Sequence, residues 1–204
     1  TMLVAGKLFT NALPPVAVGA FVLLLAAADF LCIAGGLGVY IALPKLIGGA
    51  PPEERTGLAH AIVGGQIWVS LAVGGMVSAI VFLAPLGSFF PATPEWQALP
   101  AMLWALGPML MTASLRETLM AALAGLDRYA ARTLAMIVPG VVLVAAIYVG
   151  LWRYKGGTNM LAVCFIASYA ASCAWMFLVF GESKGAFRRD LRRYRDAAKF
   201  SFPL

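Results

Sequence analysis

Three ionisable residues interrupt otherwise apolar sequence: Asp29 within residues 16–43, and the neighbours Arg116 and Glu117 within residues 99–123. A charge near the centre of a bilayer costs at least about 2.5 to 3.5 kcal/mol, so such a residue faces protein or water and marks a candidate pathway for an ion or a substrate. Asp29 falls near the middle of its segment. Arg116 lies about four or five residues past the middle of its own, which at 1.5 Å per residue is roughly 6 to 7 Å off centre. Glu117 points about 100° away around a helix, so the spacing does not make it a same-face partner. Arg116 is therefore expected to find its partner on another helix or on a ligand. Two readings stay open. In one, Asp29 and Arg116 neutralise each other and lock two spans together. In the other, Arg116 lines a water-filled cavity and attracts an anionic headgroup, with Asp29 or Glu117 taking a proton during transport. Taken alone, Glu117 reads as a cavity-edge or interfacial carboxylate.

Other chemistries find no residues to carry them. His60, the single histidine, has no Ser or Cys at helical spacing, which argues against intramembrane hydrolysis. No carboxylate or histidine pair recurs at three- or four-residue spacing within an apolar segment, and no glycine-rich phosphate loop with a lysine is present, so neither a metal nor a cofactor is expected. Cys32, Cys164 and Cys173 all sit in apolar stretches and read as small packing residues rather than as a disulfide or zinc set. The sequence is that of a non-enzyme.

The elements that must position the charged residues follow from composition. Of 204 residues, 62% are hydrophobic and 12% charged, with a mean hydropathy of +0.88; a soluble domain is nearer 45 to 50% apolar and about 25% charged. The fold class is all-α, a polytopic transmembrane bundle. A span needs roughly 20 apolar residues, and residues 16–43, 58–83, 99–123, 134–152 and 160–180 supply about five. Residues 1–13 resemble the tail of an earlier span, and 200–204 the start of another. Pro51 and Pro52 followed by Glu53 and Glu54 make a helix start. Residues 87–100, with Pro91, Pro94 and Trp96, read as an ordered interfacial loop. Ser70, Gly74 and Ser78 recur every four residues, as do Ala34, Gly38 and Ala42, and such stripes allow close helix contact. Gly35, Gly36 and Gly38 provide a bending point, and Pro139 a kink.

Charge sets the expected orientation. Excluding Arg116, one side of the membrane receives 11 Lys and Arg residues (Lys45, Arg55, Arg128, Arg132 and seven after residue 181) and the other receives Lys7, Arg153 and Lys155. The richer side is expected to be cytoplasmic. The formal charge of +6 is accounted for by this distribution and by anionic lipid, not by nucleic acid. Residues 182–199 form a basic cytoplasmic linker. Phe187, Leu191, Tyr194 and Ala198 share a helical face there, while Arg188, Arg189, Arg192, Arg193 and Arg195 lie largely elsewhere, the pattern of an interfacial helix on anionic lipid.

Three stretches, LGVYIALPKLIGG (37–49), ALAGLDRYAARTLAMIVPGVVLVAAIYVGL (122–151) and AAKFSFPL (197–204), together resemble the polysaccharide biosynthesis proteins, the oligosaccharide flippases of the multidrug and lipid-linked oligosaccharide exporter superfamily. The likeness extends over nearly the whole chain and includes the turn Gly125-Leu126-Asp127-Arg128-Tyr129. Val18 and Gly19 stand where that family often has an aromatic residue followed by glycine. The resemblance implies two six-helix lobes, with residues 1–204 as a single transmembrane domain, the N-terminal lobe with its first span truncated. It further implies alternating-access translocation of an undecaprenyl pyrophosphate-linked glycan across the bacterial cytoplasmic membrane, often with ion coupling. Arg116 would then meet the pyrophosphate, with Asp29 and Glu117 as ion-coupling candidates. Two other functions fit the same residues. One is a membrane scaffold working with glycan synthesis proteins; the other is a cation-coupled drug exporter of the same superfamily, in which Asp29 and Glu117 matter more than Arg116.

Overall fold

The computed structural model describes residues 2–35, 38–84, 99–100, 102–153, 157–181, 193 and 195–198. Among these residues every regular element is helical: α1 (Met2–Ala12), α2 (Pro15–Gly35), α3 (Val39–Gly49), α4 (Pro52–Leu83), α5 (Leu106–Gly125), α6 (Tyr129–Ile147) and α7 (Thr158–Gly181). A 3-10 turn, Leu103–Ala105, leads into α5, and a π-helical turn, Tyr148–Arg153, prolongs α6. Among the described residues four helices are long and apolar enough to cross a membrane, namely α2, α4, α6 and α7. The expected loop at 87–100 falls almost wholly outside the described residues, as does the expected span start at 200–204.

α5 is less apolar because it carries Arg116 and Glu117 among Thr112, Ser114 and Thr118. It is the hub. α2, α3, α4, α6 and α7 all pack on it, so its polar groups are wrapped by protein. Its hydroxyls are also satisfied within the helix: Thr112 Oγ1 donates to the Pro108 carbonyl at 2.9 Å and Thr118 Oγ1 to that of Ser114 at 3.0 Å, the back-bonding that lets Ser and Thr sit in a buried helix.

The small-residue stripe on α4 meets this hub. Ser70 and Ser114 share a hydrogen bond of 2.8 Å, and Gln66 donates to Ser70 at 2.9 Å. One turn further along, a Cβ added to Gly107 would lie 2.6 Å from the Gly74 carbonyl oxygen and 2.1 Å from Ser78 Oγ. Only glycine fits there. The Ala34, Gly38 and Ala42 stripe has a different fate, because the chain breaks inside it. α2 ends at Gly35, and Gly38 adopts a left-handed φ of 64° just before α3, so residues 16–43 are two helices rather than one bent span.

Pro139 lies buried inside α6, where its missing N–H leaves the Ala135 carbonyl without its helical donor. Ser172 Oγ of α7 fills the vacancy, donating to Ala135 O at 2.9 Å. The core divides along the bundle. Leu43, Ile47, Ile62, Leu119, Leu123, Met176 and Phe180 pack at the end bearing Lys45 and Arg55, the basic end. Phe21, Leu24, Met109, Leu143, Leu161 and Phe165 pack at the other. Between them lies a smaller group of Cys32, Leu110 and Ala113 with Tyr169 beside it.

Gly107→Ala is expected to destabilise the bundle by about 1 to 3 kcal/mol, the cost of overpacking a close contact. Adding Ser78→Gly should recover only part of this, since the Gly74 backbone stays in the way. The fraction of protein surviving a heating series in detergent measures both.

Candidate functional site

A cavity of about 700 Å³ is a groove floored by α5 and walled by α3 and α6. Tyr40, Pro44 and Gly48, spaced by four, present one face of α3; Tyr129, Arg132 and Met136 present one face of α6; Arg116, Glu117, Met120, Ala121 and Ala124 come from α5. The two walls each pack on α5 and barely touch one another, which leaves the groove between them.

The loop joining α5 to α6 closes the basic end. Arg128 N–H donates to Leu123 O at 2.9 Å and Asp127 N–H to Ala124 O at 3.1 Å, the bond pair of a Schellman cap. The left-handed residue this cap requires is Asp127, with φ 58°, a conformation that Asp tolerates better than most residues. Gly125, the glycine of the Gly-Leu-Asp-Arg-Tyr turn, has another task. A Cβ there would come within 2.7 Å of Ile47 Cβ, so its bare Cα lets α3 lie against α5.

Two arginines hold this end together through helix carbonyls. Arg55 donates from Nε to Ala50 O at 3.0 Å and from Nη2 to Gly48 O at 2.8 Å, covering the C-terminal end of α3, and approaches Asp127 Oδ2 at 3.5 Å. Arg128 donates to Val179 O, in the last turn of α7, at 3.0 Å. Cations at helix C-termini also oppose the negative end of the helix dipole.

Arg116 projects into the groove deeper down. Its Nη1 donates to Glu117 Oε1 at 2.5 Å, and its guanidinium carbon stands 5.3 Å from the centre of the Tyr169 ring, within cation–π range. Its Nε is buried with no acceptor. The sequence argument that the two neighbours do not pair is overturned here. The 100° between them is set at Cβ, whereas the long, flexible arginine side chain curls around the helix to reach the nearest carboxylate, a strong attraction where the permittivity is low. Asp29 is not that partner. It is exposed on α2, outside the groove lining, and makes no ion pair among the described residues.

The structure thus brings Arg116 and Glu117 together in a cavity and leaves Asp29 beside it. It also adds Arg132, which sequence counting had treated as one more charge near a loop; its spacing from Tyr129 and Met136 is the signal that puts it on an inward face. Arg193 and Arg195 are exposed, and the turn containing Arg195 buries Ala197 against the α3 and α4 core. Arg188, Arg189 and Arg192 lie outside the described residues. His60 is buried, with Nδ1 2.7 Å from Thr56 O and its ring edge on Phe180, a packing role. Among the described residues no group of three His, Cys, Asp or Glu side chains could hold a metal. No family model, curated protein or solved structure matches the chain.

With the three buried native cysteines replaced by alanine, Arg116→Cys is expected to react with a water-soluble maleimide in intact membranes, while Leu119→Cys, in the core, stays unlabelled. Absence of labelling at position 116 under all conditions would remove it from the aqueous groove.

Proposed function

We propose that this chain belongs to a flippase that moves a lipid-linked oligosaccharide or polysaccharide precursor across a bacterial cytoplasmic membrane by alternating access. The observation that carries this reading is a guanidinium, Arg116, lining a groove of about 700 Å³ in a bundle of membrane-spanning helices. That volume lies in the range of small-molecule sites, about 300 to 1,000 Å³. It suits the phosphate-bearing headgroup of a lipid-linked substrate rather than a whole glycan. Tyr129 and Met136, on the α6 wall, are exposed, so the lipid chain could remain in the bilayer while the headgroup enters. The likeness to oligosaccharide flippases in residues 37–49, 122–151 and 197–204 supports the substrate class. In the proposed orientation the basic end and the linker at 182–199 face the cytoplasm and its anionic lipids, and glycan synthesis proteins are the natural suppliers of substrate.

One observation favours a second reading, a cation-coupled exporter of the same superfamily: Asp29 is exposed and unpaired among the described residues, and the Glu117 side chain is 41% exposed. Glycan export in cells carrying Arg116→Ala or Asp29→Asn separates the two, with membrane levels of each variant checked. The flippase reading expects Arg116→Ala to abolish export at normal abundance. Full export by Arg116→Ala, with drug efflux lost in Asp29→Asn, would replace it with the second reading.

A further inference from the structure

Arg132 is the groove residue whose charge the fold leaves unbalanced. Arg116 is countered by Glu117, and Asp127 is approached by Arg55 from outside the groove, which leaves Arg132 as the lining cation with no ion-pair partner among the described residues. Among the described residues nothing accepts a hydrogen bond from its guanidinium, and its Nε is buried without an acceptor. Its position sharpens the point. Arg132 lies in the first turn of α6, where the helix dipole opposes a cation and favours an anion. The first-turn N–H groups of the same helix also lack intrahelical acceptors. An unsatisfied guanidinium and a free helix N-terminus, both beside one cavity, call for the same ligand.

We infer that Arg132 is a second anion-binding residue of the groove, taking a phosphate group at the basic mouth before or alongside Arg116. The two are at different depths. Arg132 is three residues past the start of α6 and Arg116 nine before the end of α5, so at 1.5 Å per residue they stand roughly 9 Å apart along the bundle axis. Arg116 starts out engaged with Glu117 and must exchange that carboxylate for a ligand. Arg132 has nothing to exchange. It is the residue of first contact, and its planar fork suits a phosphate oxygen pair. This rests on the reading of the groove as a ligand site, and not on the identity of the glycan. The phosphate can come from an anionic lipid headgroup or from a water-soluble or lipid-linked diphosphate.

The test uses the full chain in nanodiscs, with inorganic pyrophosphate as the probe in phosphatidylcholine and retained phosphatidylglycerol, read by native mass spectrometry, as the second arm. Arg132→Gln is expected to weaken pyrophosphate binding by about tenfold or more, the share of a charge-assisted hydrogen bond, with Arg132→Lys recovering part of it. Loss of retained phosphatidylglycerol alone in Arg132→Gln would identify the headgroup as the source. Wild-type retention of both ligands by Arg132→Gln, or no binding of either by the wild type, overturns the inference. Translocation is not read in this assay. Phosphate binding that depends on Arg132 in a protein that moves no glycan would leave the inference standing and remove the flippase reading; the converse result would remove only the inference.

Discussion

A guanidinium partway along a buried helix has to be surrounded before anything else in the bundle can be arranged. Arg116 sits on α5, and five other helices pack on that helix. The arrangement follows from solvation: a charge largely withdrawn from bulk water needs a carboxylate, an aromatic face or water held in a cavity. Glu117 and Tyr169 supply the first two, and the groove leaves room for the third. The wrapping in turn requires that α4 and α3 approach closely, which is why Gly107 and Gly125 are bare at the contact. Small residues, central polarity and the groove are one design problem with one solution.

Much of the fold could be read from the sequence because hydropathy is local. The helix start at Pro51 and Pro52 and the expected segment ends at 83, 123 and 180 lie close to the observed helix ends, since breakers and caps act over a few residues. What the sequence did not reveal depends on the neighbours. The order of helices around α5 is a packing outcome, and nothing local marks residues 106–125 as the hub. The Arg116 and Glu117 pairing escaped because a helical wheel tracks Cβ directions while arginine reaches several ångströms beyond them. One of the two open readings pairs Asp29 with Arg116 from depth alone, and depth says nothing about which way a helix is turned. Arg132 was hidden by its closeness to a loop. The Gly125 turn was recognised as a motif, yet the left-handed residue in it is Asp127, with glycine used for contact instead.

Backbone groups freed by proline or by helix ends are met across helices. Ser172 supplies Ala135, Arg128 supplies Val179, and Arg55 supplies Gly48 and Ala50. In hydrocarbon a carbonyl such as that of Ala135 has no water to turn to and must be answered from within the protein, while at the basic end the same kind of bond covers the last carbonyls of α3 and α7. These bonds tie α6 to α7 and α3 to α4, the contacts that hold the groove walls at their spacing.

Arg55 and Arg128 have a second identity. They count among the Lys and Arg residues from which the expected orientation is read, and the same guanidinium groups close off helix carbonyls. If that orientation holds, biogenesis and folding would read the same side chains. A lineage that drifted toward the inverted topology by losing these charges would at the same time uncap two helices, so the chain is poorly placed to evolve dual insertion. At the opposite end Lys7 and Arg153 are exposed and make no side-chain hydrogen bond among the described residues, which leaves those positions free to vary in charge without touching the fold.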